Sequence, residues 1–285
     1  MTAEDPTAED YAALLAVGAH AEADHRAFWE AAADGYHRAR RHDDGVLADG
    51  VVAHLVARGI LTDARVLDIG AGTGRYALRI ARHAGGVHLA DVSDRMLAHA
   101  RADAEAAGLT GLGYTRVDWT TADLDALGWR GAFDVVFASM VPVVRSRAGI
   151  DRMTAASRAW CVVNRTIRRH DTLARHLERE LGLPGRYDPG NDRAYPRALV
   201  NYLWLQGRLP TVAYVEHRTT TACSVDEAAQ RYARAFTSVD GGRAAPEHGD
   251  LREVIRRVAT GDEVVAEHHE VTAVISWPAR AEPPS

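Results

Sequence analysis

The sequence predicts an α/β protein with a mostly parallel, seven-stranded sheet, helices on both faces and an antiparallel last strand. Three observations predict this class. Short apolar runs alternate with stretches of helical periodicity, a glycine-rich turn follows the first of these runs, and two longer strand candidates lie in the second half. Alternating strands and helices imply crossover connections, which join parallel strands. The two later strands are expected to pair antiparallel at the edge of the sheet.

The strand candidates share short runs of apolar or alternating residues between turn-forming residues. They are residues 66–69, 87–90, 114–117, 133–139, 160–165, 211–219 and 263–277. The helix candidates after residue 58 are 75–83, 93–106, 150–159, 171–181, 197–206, 225–236 and 250–259. Ser224 and Glu227 form an S-x-x-E capping box that marks the start of the sixth of these helices.

The organisation of the chain suggests a helical region before the sheet and an insertion within it. Residues 11–58 have helical character, with a break near 43–45. We expect an N-terminal helical cap over residues 1–58 and a catalytic domain over 59–285. An insertion at about 171–210 contains a stretch rich in proline and glycine, residues 182–196, which predicts a loop or lid over an acceptor.

Composition favours a small-molecule substrate. The chain has a net charge of −5 and its basic residues are spread out, which argues against nucleic-acid and anionic-membrane partners. Cys161 and Cys223 match neither a disulfide framework nor a zinc spacing, so a cytoplasmic location is expected. Frequent alanine and arginine suggest a bacterial genome of high GC content. A homodimer is left open.

The glycine-rich turn VLDIGAGTGRYAL, residues 66–78, predicts a ligand that approaches the backbone closely. Its glycines follow the pattern G-x-G-x-G, whereas dinucleotide sites use G-x-G-x-x-G. Asp68 stands two residues before Gly70, where it suits a cationic ligand and would repel a pyrophosphate. Asp91 follows Gly74 by 17 residues, at the end of the second strand, where a carboxylate can accept both hydroxyls of a ribose.

A third signal, Asp118 and Trp119 after the third strand, offers a carboxylate and an indole to an adenine ring. Together these residues resemble the class I, Rossmann-like methyltransferases that use S-adenosylmethionine, and within them the small-molecule type. The resemblance is carried by DIGAGTG at 68–74, ADVSDRML at 90–97, VDW at 117–119 and FDVVFASM at 133–140.

The resemblance implies S-adenosylmethionine as cofactor, with S-adenosylhomocysteine as product. The cofactor-binding residues that it implies are Asp68, Gly70, Ala71, Gly72, Gly74, Asp91, Val92, Met96, Asp118, Trp119, Ser139 and Met140. Trp29 and Tyr36 resemble an aromatic pair that many such enzymes place before the fold, and these rings can close over the sulfonium. Their spacing of seven residues equally fits the inward face of a helix, and Met96 equally fits the core.

The acceptor side is less well defined by the sequence. Ser139 to Val144 follow the fourth strand and are mostly apolar, without the D/N-P-P-aromatic motif of adenine methyltransferases. Substrate-binding candidates in the insertion are Tyr187, Tyr195, Asn201, Tyr202 and Trp204. Candidates for a general base are His170, Glu216 and His217, and no metal site is expected. His268 and His269, between two acids, face opposite sides if they lie on a strand.

The predicted function is methyl transfer to a small aromatic or apolar metabolite, on oxygen or nitrogen, by in-line displacement. The alternative is a non-catalytic protein that binds an adenosyl ligand or regulates another enzyme. A nicotinamide-dependent oxidoreductase is disfavoured by the glycine spacing and by Asp68.

Overall fold

Four parallel strand pairs form the centre of the sheet in the computed structural model, which describes residues 6–16, 25–40, 45–182, 192–237 and 246–280. The strands are β1 (Arg65–Ile69), β2 (Gly86–Asp91), β3 (Leu112–Arg116), β4 (Phe133–Ser139), β5 (Ser157–Asp171), β6 (Thr211–Ser224) and β7 (Glu263–Pro278). Their order in the sheet is β3-β2-β1-β4-β5-β7-β6.

β7 runs against both of its neighbours. Just past the end of β7, the Ala279 N–H donates to the Ala159 carbonyl near the start of β5. Further along β5, the hydroxyls of Thr166 and Thr272 of β7 are hydrogen-bonded. Likewise, the Thr211 hydroxyl at the start of β6 is hydrogen-bonded to the Ser276 hydroxyl near the end of β7. The predicted seven-stranded, mostly parallel sheet with an antiparallel last strand is therefore confirmed.

The helices agree with the predicted segments except at their ends. They are α1 (Ala8–Leu15), α2 (His25–Arg40), α3 (Val46–Ala57), α4 (Ala77–Ile80), α5 (Asp94–Ala106), α6 (Arg147–Ala156), α7 (Thr172–Glu180), α8 (Ala194–Leu205), α9 (Val225–Thr237) and α10 (His248–Arg256). The expected helix over 75–83 is only one turn long, and three-residue turns follow it: the Arg82 N–H donates to the Arg79 carbonyl and the His83 N–H to the Ile80 carbonyl. The Ser224–Glu227 capping box is present in side-chain and backbone hydrogen bonds.

Two apolar layers cover the two faces of the central strands. On β4, Val136 and Ala138 face a cluster that includes residues of α6 and α8. Val135 and Phe137 face the opposite cluster, which includes residues of α3, α4 and α5. Because both faces of β4 are buried, its sequence is a nearly continuous apolar run, as is usual for parallel strands. The strand order changes direction between β1 and β4. In open sheets of this kind, ligands bind in a crevice at the carboxyl ends of the strands on either side of this point.

The chain divides into two compact units. The first comprises residues 1–165, 193–215 and 273–285, and the second comprises 166–192 and 216–272. The insertion expected at about 171–210 is thus divided between them. In the second unit, residues of α7, α9 and α10 share an apolar cluster.

A buried carboxylate anchors the second unit. Asp171 accepts hydrogen bonds from the Tyr232 hydroxyl at 2.8 Å and from the Ala174 N–H at 2.9 Å, and its Oδ2 lies 3.2 Å from Nδ1 of His268. Burial raises the pKa of Asp171, but the hydrogen bonds from His268, Ala174 and Tyr232 outweigh it and hold the pKa below its ordinary value. Asp171 therefore stabilises the fold as a charged group.

Replacing Asp171 by alanine is expected to lower the free energy of unfolding by about 3 kcal/mol, because buried donors lose their acceptor. Asp226→Ala, which removes an exposed partner of Arg252, is the control and should cost no more than about 0.5 kcal/mol. Urea unfolding at neutral pH measures both. Since the pKa is depressed, the contribution of Asp171 is present above the unfolded-state pKa and is lost as pH falls through the folded-state pKa. Equal costs for the two variants would refute the anchoring role.

Candidate cofactor and acceptor site

The glycine loop adopts a backbone that only glycine adopts easily. Gly70, Gly72 and Gly74 have φ values of +62°, +54° and +81°. A Cβ at Gly70 would overlap the Val141 side chain, so the segment after β4 lies directly against the loop. The Ala71 N–H donates to the Ala90 carbonyl at 3.1 Å, which ties the loop to the end of β2.

Asp91 holds the loop from the neighbouring strand. Its Oδ2 accepts the Gly72 N–H at 2.8 Å and its Oδ1 accepts the Ser93 N–H at 2.9 Å. The residue is 8% exposed. Burial raises the pKa of Asp91, although the N–H donors of Ser93, Gly72 and Val92 act in the opposite direction. Asp91 is thus fixed beside the glycines, with lone pairs left for further donors.

Asp68 is the second buried acid at this edge and is 2% exposed. Burial and then the charge of Asp91 raise its pKa well above the ordinary value, against a hydrogen bond from the Ala77 N–H. Because these carboxyls bind protons more readily in the folded chain, stability falls as pH rises from the ordinary carboxyl pKa towards the raised values. A cation between the two acids would favour their charged forms and so reverse this loss of stability. The residues therefore fit a ligand that carries a positive charge and hydroxyl donors.

Helix α2 brings aromatic residues to the same loop. Cε1 of Tyr36 lies 3.8 Å from the position of a Cβ on Gly72. Trp29 packs edge-to-face on Tyr36 with ring centroids 6.1 Å apart. Tyr36 thus lies beside the glycines, as expected of an aromatic residue that closes over the cofactor. The role of the pair in binding stays a prediction.

Sequence reasoning missed the residues that dock α2 beside the loop. Glu30 accepts a 2.5 Å hydrogen bond from the Ser93 hydroxyl, and Asp34 bonds to Arg95 and His99 of α5. His25 accepts a hydrogen bond from the Trp29 indole. These partners lie more than 60 residues apart in sequence, apart from the His25–Trp29 pair, so no local pattern could indicate them.

The expected adenine-facing residues do not all lie at the surface. Asp118 is exposed and accepts hydrogen bonds from the Thr120 N–H and hydroxyl. Trp119 is instead part of the core, and its indole N–H donates to the Gly149 carbonyl at 3.3 Å. Met96 is also buried, while Val92 is half-buried. Trp119 is only 2% exposed, and its role at the adenine stays a prediction.

The end of β4 has an unusual backbone. Met140 has a φ of +57°, which is uncommon for a residue with a side chain, and it is exposed. Its N–H donates to the Asn164 carbonyl at 3.3 Å, and the preceding Ser139 is paired with Asn164 in register. Such outliers cluster at ligand sites, which agrees with the predicted location of Ser139 and Met140.

Asn164 is another residue that sequence reasoning missed. It is fully buried, and neither its Oδ1 nor its Nδ2 has a hydrogen-bond partner. The register with Ser139 places it on the same sheet face as Phe137 and Val162. The sequence feature that could have indicated it is a single asparagine at the end of the apolar run in β5.

Helix α8 turns two of the predicted substrate residues into the core. Tyr195 and Tyr202 are buried, and their hydroxyls donate to the Val144 carbonyl and to Asp151. Their spacing of seven residues is that of the buried helix face, and their place in an acceptor pocket stays a prediction. Asn201 bonds to its own helix, Trp204 is 59% exposed, and Tyr187 lies outside the described residues.

The three base candidates belong to the second unit, whereas every predicted cofactor residue belongs to the first. His170 and Glu216 are exposed, and Glu216 lies 3.2 Å from His269. His217 is half-buried. His268 and His269 bond to different partners, as strand alternation predicts. Within the described ranges, no group of three metal-binding side chains occurs, and no helix is long and apolar enough to cross a membrane.

Comparison with known families agrees with this geometry. Residues 66–161 match the family described as "Methyltransferase domain". This range contains the glycine loop, Asp91 and the end of β4. The chain thus contains a class I methyltransferase domain, and domains of this class use S-adenosylmethionine, which confirms the predicted protein class and cofactor. No curated protein matches the sequence significantly.

Several solved structures are similar to the chain at low sequence identity. Magnesium protoporphyrin IX methyltransferase from Synechocystis PCC 6803, with bound S-adenosylhomocysteine, is 15% identical over 82% of each chain, with a TM-score of 0.46. A putative methyltransferase from Bacillus halodurans is 14% identical over 81% of this chain and 99% of its own, with a TM-score of 0.49. YcgJ from Bacillus subtilis is 13% identical over 82% and 99%, with a TM-score of 0.46.

The buried amide of Asn164 yields a prediction about stability. Asn164→Leu, which nearly preserves volume, is expected to raise the free energy of unfolding of the ligand-free protein by about 1 kcal/mol or more, because an unsatisfied buried amide is removed. Thermal unfolding measures the change, and Asn201→Leu is the control at an amide that has a partner. A loss of stability in Asn164→Leu would mean that a buried water or another group already satisfies the amide.

Proposed function

We propose that this chain transfers a methyl group from S-adenosylmethionine to a small-molecule acceptor. The observation that carries the proposal is the pair of buried acids, Asp68 and Asp91, on either side of a glycine loop with left-handed backbone. A sulfonium donor brings a positive charge, an ammonium group and two ribose hydroxyls, and these match two carboxylates. A dinucleotide would place a pyrophosphate where Asp68 repels it.

The residues have distinct roles in this proposal. Gly70, Ala71, Gly72 and Gly74 allow the methionyl and ribose parts to approach the backbone. Asp91 accepts the ribose hydroxyls with the lone pairs that Gly72 and Ser93 leave. Asp68 balances the ammonium group, directly or through a water molecule. Val92, Asp118 and the α2 aromatic residues Trp29 and Tyr36 flank the adenosyl ligand.

The donor supplies an activated methyl carbon, so the protein's part is to align the acceptor in line with it and to exclude water. Ser139 and Met140 are the residues that we place beside the reacting atoms, because Val141, directly after them, contacts the glycine loop. An acceptor with an aromatic or apolar body and a reacting oxygen or nitrogen fits the apolar residues that follow. His170, Glu216 and His217 stay candidates for a base if the acceptor keeps its proton.

Calorimetric titration tests the proposal. Both S-adenosylmethionine and S-adenosylhomocysteine should bind at one site, and NADH should not. Turnover is measured as release of S-adenosylhomocysteine in the presence of candidate acceptors. Failure of both adenosyl ligands to bind would refute the proposal. Binding without turnover of any acceptor would favour the alternative of a non-catalytic adenosyl-binding protein.

Asp91→Ala should weaken binding of S-adenosylhomocysteine by several kcal/mol, since two charge-assisted hydrogen bonds of roughly 1.5–3 kcal/mol each are lost. The control is Asp94→Ala, an exposed acid three residues away that pairs with Arg116. Its effect on binding should be below about 0.5 kcal/mol. Unchanged affinity in Asp91→Ala, with a normal melting temperature, would exclude the ribose role.

A further inference from the structure

The second unit contains a chain of hydrogen bonds that ends on a threonine hydroxyl. Oδ2 of Asp171 lies 3.2 Å from Nδ1 of His268, and Nε2 of His268 lies 2.9 Å from the hydroxyl oxygen of Thr221. The three residues belong to β5, β7 and β6, and all lie in the second unit. Segments that are distant in sequence thus bring a carboxylate, an imidazole and a hydroxyl into hydrogen-bond contact.

The charge of Asp171 fixes the direction of both bonds. Burial acts to raise the pKa of Asp171, but the hydrogen bonds from His268, Ala174 and Tyr232 hold the pKa below its ordinary value. At neutral pH the carboxylate therefore only accepts, and Nδ1 of His268 carries the hydrogen of this bond. In a neutral ring Nε2 is then an acceptor, and the Thr221 hydroxyl donates to it.

The three groups differ in their access to water. The side chain of Asp171 is 1% exposed, and its Oδ1 accepts the Ala174 N–H and the Tyr232 hydroxyl, each at 2.9 Å. The side chain of His268 is 25% exposed, and Thr221 is half-buried. A small molecule can therefore reach the imidazole and the hydroxyl, while the acid behind them is fixed and shielded from water.

This arrangement is suited to attack by a hydroxyl on a carbonyl carbon. A threonine hydroxyl is a weak nucleophile by itself, and an adjacent imidazole activates it by removing its proton. A carboxylate on the other ring nitrogen orients the imidazole and stabilises its charged form. Within the described residues, β6 has a neighbouring strand on one side only. An edge strand of this kind exposes backbone N–H groups, which are suitable donors for a developing oxyanion.

We propose that Thr221, His268 and Asp171 form a second catalytic site, which hydrolyses small carboxylic esters. Thr221 is the nucleophile, His268 is the general base and Asp171 is a positioning residue. This activity goes beyond the proposed methyl transfer and uses none of its cofactor residues, all of which belong to the first unit.

The reaction has two steps. In the first, the Thr221 oxygen forms a bond to the carbonyl carbon of the ester while its proton passes to Nε2 of His268. The bond from this carbon to the alcohol oxygen then breaks, and the departing alcohol takes the proton from His268. In the second, a water molecule gives a proton to His268 and attacks the acyl group. The acid is released, and the proton returns to the Thr221 oxygen.

Hydrolysis of p-nitrophenyl acetate by the full chain tests the proposal. Exposed imidazoles can also react with such an ester, so variants must separate this background from the site. Thr221→Val, which keeps the shape but lacks the hydroxyl, should lower the rate at least about tenfold, and Thr221→Ser should retain activity. The control is Thr219→Val, the same change at another half-buried threonine of β6, which should leave the rate unchanged. Equal rates in wild type and Thr221→Val would overturn the proposal.

Covalent labelling identifies the nucleophile directly. Incubation with a fluorophosphonate and peptide mass spectrometry should place an adduct on Thr221 in the wild-type chain and none in His268→Gln. His269→Gln, which changes the adjacent histidine that bonds to Glu216, is the control and should keep the adduct. An unlabelled Thr221 in the wild-type chain, or equal labelling in His268→Gln, would overturn the proposal.

Asp171→Asn tests the positioning role. A carboxamide can donate to Nδ1, which moves the ring hydrogen of His268 to Nε2, where it blocks the bond from Thr221. The kcat for the ester should fall at least about tenfold with KM unchanged. A purely structural residue would lower the melting temperature and leave kcat of the folded protein unchanged, and that result would overturn the assignment. The Thr221 variants test the site without any change to the Asp171 anchor.

These assays contain no adenosyl ligand, so they are independent of the proposed methyl transfer. If the chain binds S-adenosylhomocysteine but Thr221→Val hydrolyses the ester as fast as wild type, only the second site fails. If hydrolysis depends on Thr221 but no adenosyl ligand binds, only the proposed methyl transfer fails.

Discussion

The hydrogen bond from the Gly72 N–H to Asp91 is the interaction on which the site depends. It joins a loop that lacks side chains to a carboxylate at the end of the neighbouring strand. The same carboxylate accepts the Ser93 N–H, and the Ser93 hydroxyl bonds to Glu30 of α2. One acid thus orders the loop, the start of α5 and the position of the N-terminal helix. Any ligand that uses Asp91 must enter this network.

The network places two acids where burial makes their charges costly. Asp68 and Asp91 both have raised pKa values, chiefly because they are removed from water. Asp91 orders the loop in the ligand-free protein, but removing the two charges from water costs free energy that no cation offsets there. A cationic ligand recovers the cost upon binding. In the proposed site, the two acids that lower the stability of the ligand-free protein are therefore the ones that bind the ligand, as is common at functional sites.

The sequence predicts features that depend on neighbouring residues, but it does not show contacts between distant segments. The glycine loop and Asp91 could be predicted because each sits at a fixed place relative to a strand end. Trp119 and Tyr195 are buried in the core, and the sequence alone does not distinguish an aromatic residue that lines a site from one that packs beneath it. Glu30 and Asn164 were missed because their surroundings are set by pairings with distant segments. The acceptor side depends almost wholly on such pairings, so its residues stay a proposal.

Proton release upon binding tests the central claim that Asp68 and Asp91 receive a cation. Burial raises the pKa of both acids, so each binds a proton more readily than an exposed carboxyl group does, and a bound sulfonium favours their ionised forms. Calorimetry of S-adenosylmethionine binding, in two buffers of different ionisation enthalpy at each pH from about 5 to 8, measures the protons released. The account predicts a buffer-dependent enthalpy, with affinity that rises with pH and a smaller pH dependence in Asp68→Asn. Equal enthalpies in the two buffers and affinity independent of pH throughout this range would contradict it.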